Sequence, residues 1–166
     1  DYRFSQTVVG NLMRWNSEFP KLQLWQDSGN GPGADVNTCY GGFWLHKLYP
    51  EEISESVWRK VPNSTLYQLN EAYLNYAEAL NEYNEGPTQE AYDAINTIRK
   101  RSGQPDLPTG LGYLEFRAKV RNERAIELAF DGHRFYDIRR WMIAEEEGVM
   151  QGGMLGIKIY QIPEST

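Results

Sequence analysis

Glu123-Arg124-Ala125-Ile126-Glu127-Leu128-Ala129-Phe130-Asp131-Gly132-His133-Arg134-Phe135-Tyr136-Asp137-Ile138-Arg139-Arg140-Trp141 interleaves acids, arginines and large apolar residues around a single glycine. Charges and apolar groups spaced three and four apart fit helices that pack on one side and pair ions on another. Gly132 falls where one helix stops and the next begins, because glycine takes a left-handed cap at little cost. The stretch predicts a helix from near Tyr113 to Phe130. A shorter one follows, holding Phe135, Ile138, Trp141 and Met142.

The same period runs upstream. Leu66, Leu69, Tyr73, Tyr76, Leu80 and Tyr83 form an apolar stripe, with Ser64 or Thr65 as cap and Gly86-Pro87 as stop. Thr88 caps a further helix that places Ala91, Ile95 and Ile98 on one face and ends at Ser102-Gly103 before Pro105. Two helices joined this briefly make a hairpin resembling a tetratricopeptide (TPR-like) repeat unit. The expected architecture is mainly α, with residues 63–145 as the helical region of a single domain spanning 1–166.

Residues 1–62 have a different character. They hold six of the 15 Gly, four of the eight Pro and four of the five Trp. Gly29 to Gly33 and Gly41-Gly42 are bends by turn chemistry. Thr7-Val8-Val9 and Phe43-Trp44-Leu45 are short enough to be brief strands only. This segment reads as irregular, aromatic-rich and loop-rich. The tail, 146–166, alternates Ile157, Ile159 and Ile162 with polar residues, as one strand would.

The bulk numbers exclude several classes. At 166 residues the chain can bury a real core. A net charge of −6 argues against a nucleic-acid partner, which needs a basic surface. The lone Cys39 rules out an internal disulfide and any multi-cysteine zinc site. No segment approaches the roughly 20 apolar residues of a membrane-spanning helix. The chain opens at Asp1 with neither a Met nor an apolar leader, the expectation being a portion of a longer protein.

Catalytic and binding constellations divide clearly. Glu123 and Glu127 lie four apart, and paired carboxylates can cleave a glycosidic bond. A general acid needs a raised pKa, whereas nearby arginines hold carboxylates ionised. Glu123, Arg124, Glu127, Arg134 and Asp137 are therefore read as a structural ion network. His133 and Asp137 offer two metal ligands without a third, and neither histidine has a nucleophile beside it. Gly29 to Gly33 lacks the Lys of a phosphate loop. No catalytic residue, metal or cofactor is expected.

Trp15, Trp25, Tyr40, Phe43 and Trp44 lie among Asn11, Asn16, Gln23, Gln26, Asn30 and Asn37. Flat rings stack on the apolar faces of sugars while amides take the hydroxyls. The same rings also serve as ordinary core. As a set they are the candidate carbohydrate platform.

Several separated pieces resemble the SusD/RagB family in order. They are Asp1-Tyr2-Arg3-Phe4, Leu74 to Glu82, Ala94 to Gly103, and the stretch quoted first with its Glu123-Arg124, Glu127-Leu128, Gly132, Arg134, Asp137 and Arg140-Trp141. Ala125, Asp131 and Ile138 replace the family's usual Arg, Glu and Leu. The resemblance implies a SusD-like helical fold and the C-terminal portion of an outer-membrane, lipid-anchored, cell-surface protein. It implies non-catalytic capture of an oligosaccharide, or another nutrient such as a peptide, for a TonB-dependent SusC-like transporter. The anchor would lie outside this chain. A helical protein-interaction module and a glycoside hydrolase using the Glu pair are the two alternatives.

Overall fold

The computed structural model describes residues 1–28, 30–31, 41–49, 65–152 and 156–161. The elements in chain order are α1 (Arg3–Thr7), β1 (Val8–Val9), β2 (Trp44–Leu45), α2 (Leu69–Tyr83), α3 (Gln89–Arg101), α4 (Tyr113–Glu127) and α5 (Arg134–Arg140). The fold is mainly α. The chain forms two compact units: Asp1–Arg3 with Thr65–Ile143, and Phe4–Ser64 with Ala144–Thr166. None of the described helices is long and apolar enough to cross a membrane.

In the helical unit, α3 starts where Thr88 Oγ1 accepts from the Ala91 amide at 3.3 Å, satisfying one orphan donor of the first turn. Its last turn carries Arg99, Lys100 and Arg101, which oppose the negative end of the helix dipole. At the start of α4, Glu115 Oε2 accepts from the Gly112 amide at 3.0 Å. Ala77, Ala91, Ala94, Ile95, Leu107, Phe116 and Val120 then form the main core, with Tyr92 edge-on to Phe116 at 4.9 Å between ring centroids. Small alanines let α2, α3 and α4 approach closely around that aromatic pair.

The apolar stripe foreseen on α2 does not face this core. The helix begins at Leu69 after Gln68, so Leu66 lies outside it, and Leu69, Tyr76 and Tyr83 are exposed. Leu74, Ala77 and Asn81 are the buried positions, with Tyr73 and Leu80 at their border. At 3.6 residues per turn the buried face is centred about a third of a turn from the stripe. Asn81 holds its place there through its side-chain amide, which donates to the Tyr113 carbonyl at 3.2 Å.

The helix ending near the quoted stretch is also shorter than its pattern suggests. α4 stops at Glu127, and Phe130 itself adopts φ +65°, two residues ahead of Gly132 at φ +82°. In α5 the buried residues are Asp137 and Ile138. Trp141 is buried just past the helix, while Phe135 and Met142 are exposed.

In the second unit, β1 and β2 pair antiparallel with Val8 opposite Leu45 and Val9 opposite Trp44. Val9, Leu22 and Leu24 form its core, flanked by Met13, Trp15, Phe19, Trp44 and Ile159. The tail makes no strand over 156–161. It is held by single backbone links, Gln26 N to Ile159 O at 2.9 Å and Ile157 N to Gly41 O at 3.4 Å, and Ile159 packs on the core while Ile157 is exposed.

Candidate functional site

The candidate aromatic platform lies in the second unit, and its members fall into two groups. Trp15 sits edge-on to Phe19 at 5.9 Å and to Trp44 at 5.7 Å, and Phe19 meets Trp44 at 5.6 Å. The Trp15 indole N–H donates to the Leu45 carbonyl at 2.9 Å, fixing the ring against β2. Asn16 is buried and caps the turn beneath, its Oδ1 accepting from the amides of Glu18 and Phe19. Trp15 and Trp44 therefore pack the core of this unit.

Trp25 and Phe43 are half-buried and stand apart from that stack. The Trp25 carbonyl accepts from both the amide and the hydroxyl of Ser28, which curls the chain after it. Asn30 Oδ1 accepts from the Gln23 amide at 3.4 Å, and Gln26 Nε2 donates to Asp27 Oδ1 at 3.1 Å. Trp25 thus lies in a short turn whose neighbouring residues Gln26 and Asn30 carry amide side chains. Phe43 meets the exposed Phe4 edge-on at 5.9 Å. Tyr40 and Asn37 lie outside the described residues.

Glu123, Glu127 and Asp137 of the quoted stretch lie in the helical unit and are held by arginine, while Asp131 accepts from Gln68 Nε2 at 3.1 Å. Glu123 is 1% exposed and Glu127 5%. Arg3 Nη1 donates to Glu123 Oε1 at 2.6 Å and to Glu127 Oε2 at 2.8 Å. Arg99 Nη1 donates to Glu123 Oε2 at 2.7 Å, while Arg101 and Asn70 both donate to Glu127 Oε1. Asp1 in turn accepts from the Arg3 Nη2 at 2.6 Å and Nε at 2.9 Å, locking that guanidinium's angle. Burial by itself pushes the Glu127 carboxyl up. The hydrogen bonds from Arg3 and Asn70 and the charges of Arg101 and Arg3 outweigh it, so its pKa lies below the ordinary carboxylate value.

Arg124 serves a different acid. Its Nε donates to Asp137 Oδ2 at 2.7 Å and its Nη1 to Asn75 Oδ1 at 2.8 Å. Its Nη2 lies 3.5 Å from His133 Nδ1, which accepts, leaving the His133 Nε2 side toward Glu71 at 3.6 Å. Arg140 grips Glu78 with both Nη atoms at 2.7 Å, and Trp141 Nε1 donates to the same carboxylate at 2.7 Å. Arg134 is exposed and makes no ion pair among the described residues. The place read for Arg134 in the ion network is filled by Arg3, Arg99 and Arg101, because Arg134 begins α5 on its outer side. The signal that pointed to Arg3 was the Asp1-Tyr2-Arg3 motif, which sequence distance hid.

The sequence model of the SusD family matches residues 1–165, and the chain belongs to that family. It is 29% identical over 148 residues to the SusD-like protein P25 of Formosa agariphila, covering 86% of this chain and 23% of that protein. A SusD-like protein from Bacteroides fragilis superposes with a TM-score of 0.71 at 30% identity, over 86% of this chain and 28% of that one. A SusD homolog from Bacteroides thetaiotaomicron gives a TM-score of 0.60 at 30% identity, over 86% and 30%. The chain thus spans under a third of the length of these relatives.

Proposed function

We propose that the protein containing this chain captures an oligosaccharide at the bacterial outer surface and passes it, unaltered, to a SusC-like TonB-dependent transporter. A lipid anchor outside this chain would hold it to the outer membrane. Membership of the SusD family carries this reading. Sugar contacts are assigned to the half-buried Trp25 and Phe43, which stand outside the Trp15–Phe19–Trp44 stack. Trp15 and Trp44 set the shape beneath, and Tyr40 is retained as a contact candidate.

Turnover is not part of the proposal. A glycosidase acid must hold a proton at neutral pH. Glu127 has the opposite tuning, and Glu123 is bound by Arg3 and Arg99. Isothermal titration of the full-length protein with a panel of soluble glycans tests the capture reading. Saturable binding without product release supports it, and absence of binding at millimolar concentration contradicts it.

One observation favours a second reading, a helical module that binds protein. Leu69, Ala72, Tyr76, Ala79 and Tyr83 follow a three-four spacing along α2, and Leu69, Tyr76 and Tyr83 are exposed.

A further inference from the structure

Along one side of α4, arginines alternate with the acids of α2 and α5, and every pairing but one is closed. Glu82 takes Arg117 and the Tyr113 hydroxyl. Glu78 takes Arg140 and the Trp141 indole N–H. Asp137 takes Arg124 and, at 3.2 Å, Arg140. Arg121 stands among these groups without an acceptor. It makes no hydrogen bond and no ion pair among the described residues, and its buried Nε–H has no partner.

What holds Arg121 is a ring. Its guanidinium carbon lies 4.7 Å from the centroid of Trp141, a residue only 8% exposed and itself fixed by Glu78. Stacking on an indole satisfies the face of a guanidinium and leaves the N–H edge free. The two Nη groups on that edge present four N–H donors in a fork that can take a pair of carboxylate or sulfate oxygens. The electrostatics agree. Arg117, Arg121, Arg124 and Arg140 face Glu78, Glu82 and Asp137, so one positive charge is in excess. Burial, then the neighbouring Arg117, lowers the Arg121 pKa, and Glu78 and Glu82 only partly offset this. An added anion would relieve the repulsion from Arg117 and give the open donors their acceptor. Arg121 is half-buried, and its Nε is closed off, so the Nη groups are the donors a small ligand can meet.

We propose that Arg121, stacked on Trp141, is a binding site for a single carboxylate or sulfate group carried by an acidic sugar. The sugar class rests on the glycan-capture reading, whereas the oxyanion chemistry rests on the Arg121 geometry alone. Arg121 supplies the donor fork and Trp141 its floor. Arg117 contributes long-range attraction while remaining bound to Glu82.

Thermal unfolding of the full-length protein tests this, with sodium glucuronate or sodium sulfate added at ionic strength held constant by sodium chloride. A ligand of the native state raises the midpoint by mass action. The wild type should show a saturable, concentration-dependent rise, and Arg121→Gln should lose it. The difference between the two proteins removes the general effect of sulfate on folded chains. A response to glucuronate alone identifies a sugar carboxylate, and a response to sulfate alone a sulfate ester. Equal rises in wild type and Arg121→Gln, or no rise in either, would overturn the site. Should Arg121→Gln fail to fold, Arg121→Lys keeps the charge and loses the fork, and an undiminished response there overturns it equally. Titration with a neutral oligosaccharide separates the two claims, because its binding should be the same in Arg121→Gln as in wild type.

Discussion

Arg3 Nη1 lies 2.6 Å from Glu123 Oε1 although 120 residues separate them in sequence. The first residues of the chain thereby close onto the third and fourth helices, and the same guanidinium reaches Glu127. Two buried carboxylates share three arginines and one asparagine. This is an interlock, and it explains why acids in the most charged stretch of the chain sit almost fully out of water.

Removing one member of a buried ion pair strands its partner, at a cost of about 3–5 kcal/mol. Arg124→Ala should therefore lower stability toward that order, since it leaves the 4% exposed Asp137 with only Arg140 at 3.2 Å and frees Asn75 and His133. Arg134→Ala should stay within about 0.5 kcal/mol, as exposed substitutions do. Urea denaturation of the two variants beside wild type measures the difference. Equal midpoints would contradict the assignment of the ion network.

The interlock also has a pH signature. Glu127's carboxyl titrates lower in the folded chain than its ordinary value. A depressed folded pKa gives stability that is present above the unfolded value of about 4.3 and is lost as pH falls below it. Glu127→Gln should be less stable at neutral pH and should show a flatter loss toward acid. Melting temperatures recorded from pH 7 down to pH 3 check both the sign and the window.

Gly103 closes α3 at φ +70°, and a Cβ there would collide with the Tyr2 ring. Gly110 has φ +79° but open space around it. Gly110→Ala should cost only the left-handed strain, about 1–2 kcal/mol. Gly103→Ala should cost more, because Tyr2 must move with the segment that carries Arg3. Comparing the two melting midpoints isolates the steric part.

Trp15 and Trp25 should separate stability from recognition. Trp15 touches Phe19, Trp44 and Tyr49 and anchors to Leu45, so Trp15→Ala should destabilise by about 3–5 kcal/mol. Trp25→Ala should leave the fold of the protein nearly unchanged. Near-ultraviolet circular dichroism during thermal unfolding reads both.

The helical part of this fold was legible because capping and stop signals are local. Thr88 and Gly103 bound α3 through single hydrogen bonds and dihedral angles that neighbours decide. The rotation of α2 was not legible. Its core face uses Ala77 and Asn81, small and polar, while Leu69, Tyr76 and Tyr83 outweigh them in hydrophobicity and stay outside. The ion partners of the Glu pair were hidden for a similar reason. Arg121, Arg124 and Arg134 are near in sequence, yet α4's geometry sends the first two toward α2 and α5, and the pairing arginines come from Arg3 and α3. Among the aromatics, composition could mark the set but not distinguish Trp15, packed edge-on between rings, from Trp25.

In the proposed division of labour, buried charges hold the helices and ring faces elsewhere hold the ligand. Calorimetric titration of full-length wild type, Trp25→Ala and Glu123→Gln with the tightest glycan of the panel tests it most directly. Trp25→Ala should weaken binding by about tenfold or more, roughly 1.4 kcal/mol. Glu123→Gln, assayed below its lowered melting midpoint, should bind as wild type does. Full affinity in Trp25→Ala together with lost affinity in folded Glu123→Gln would contradict it.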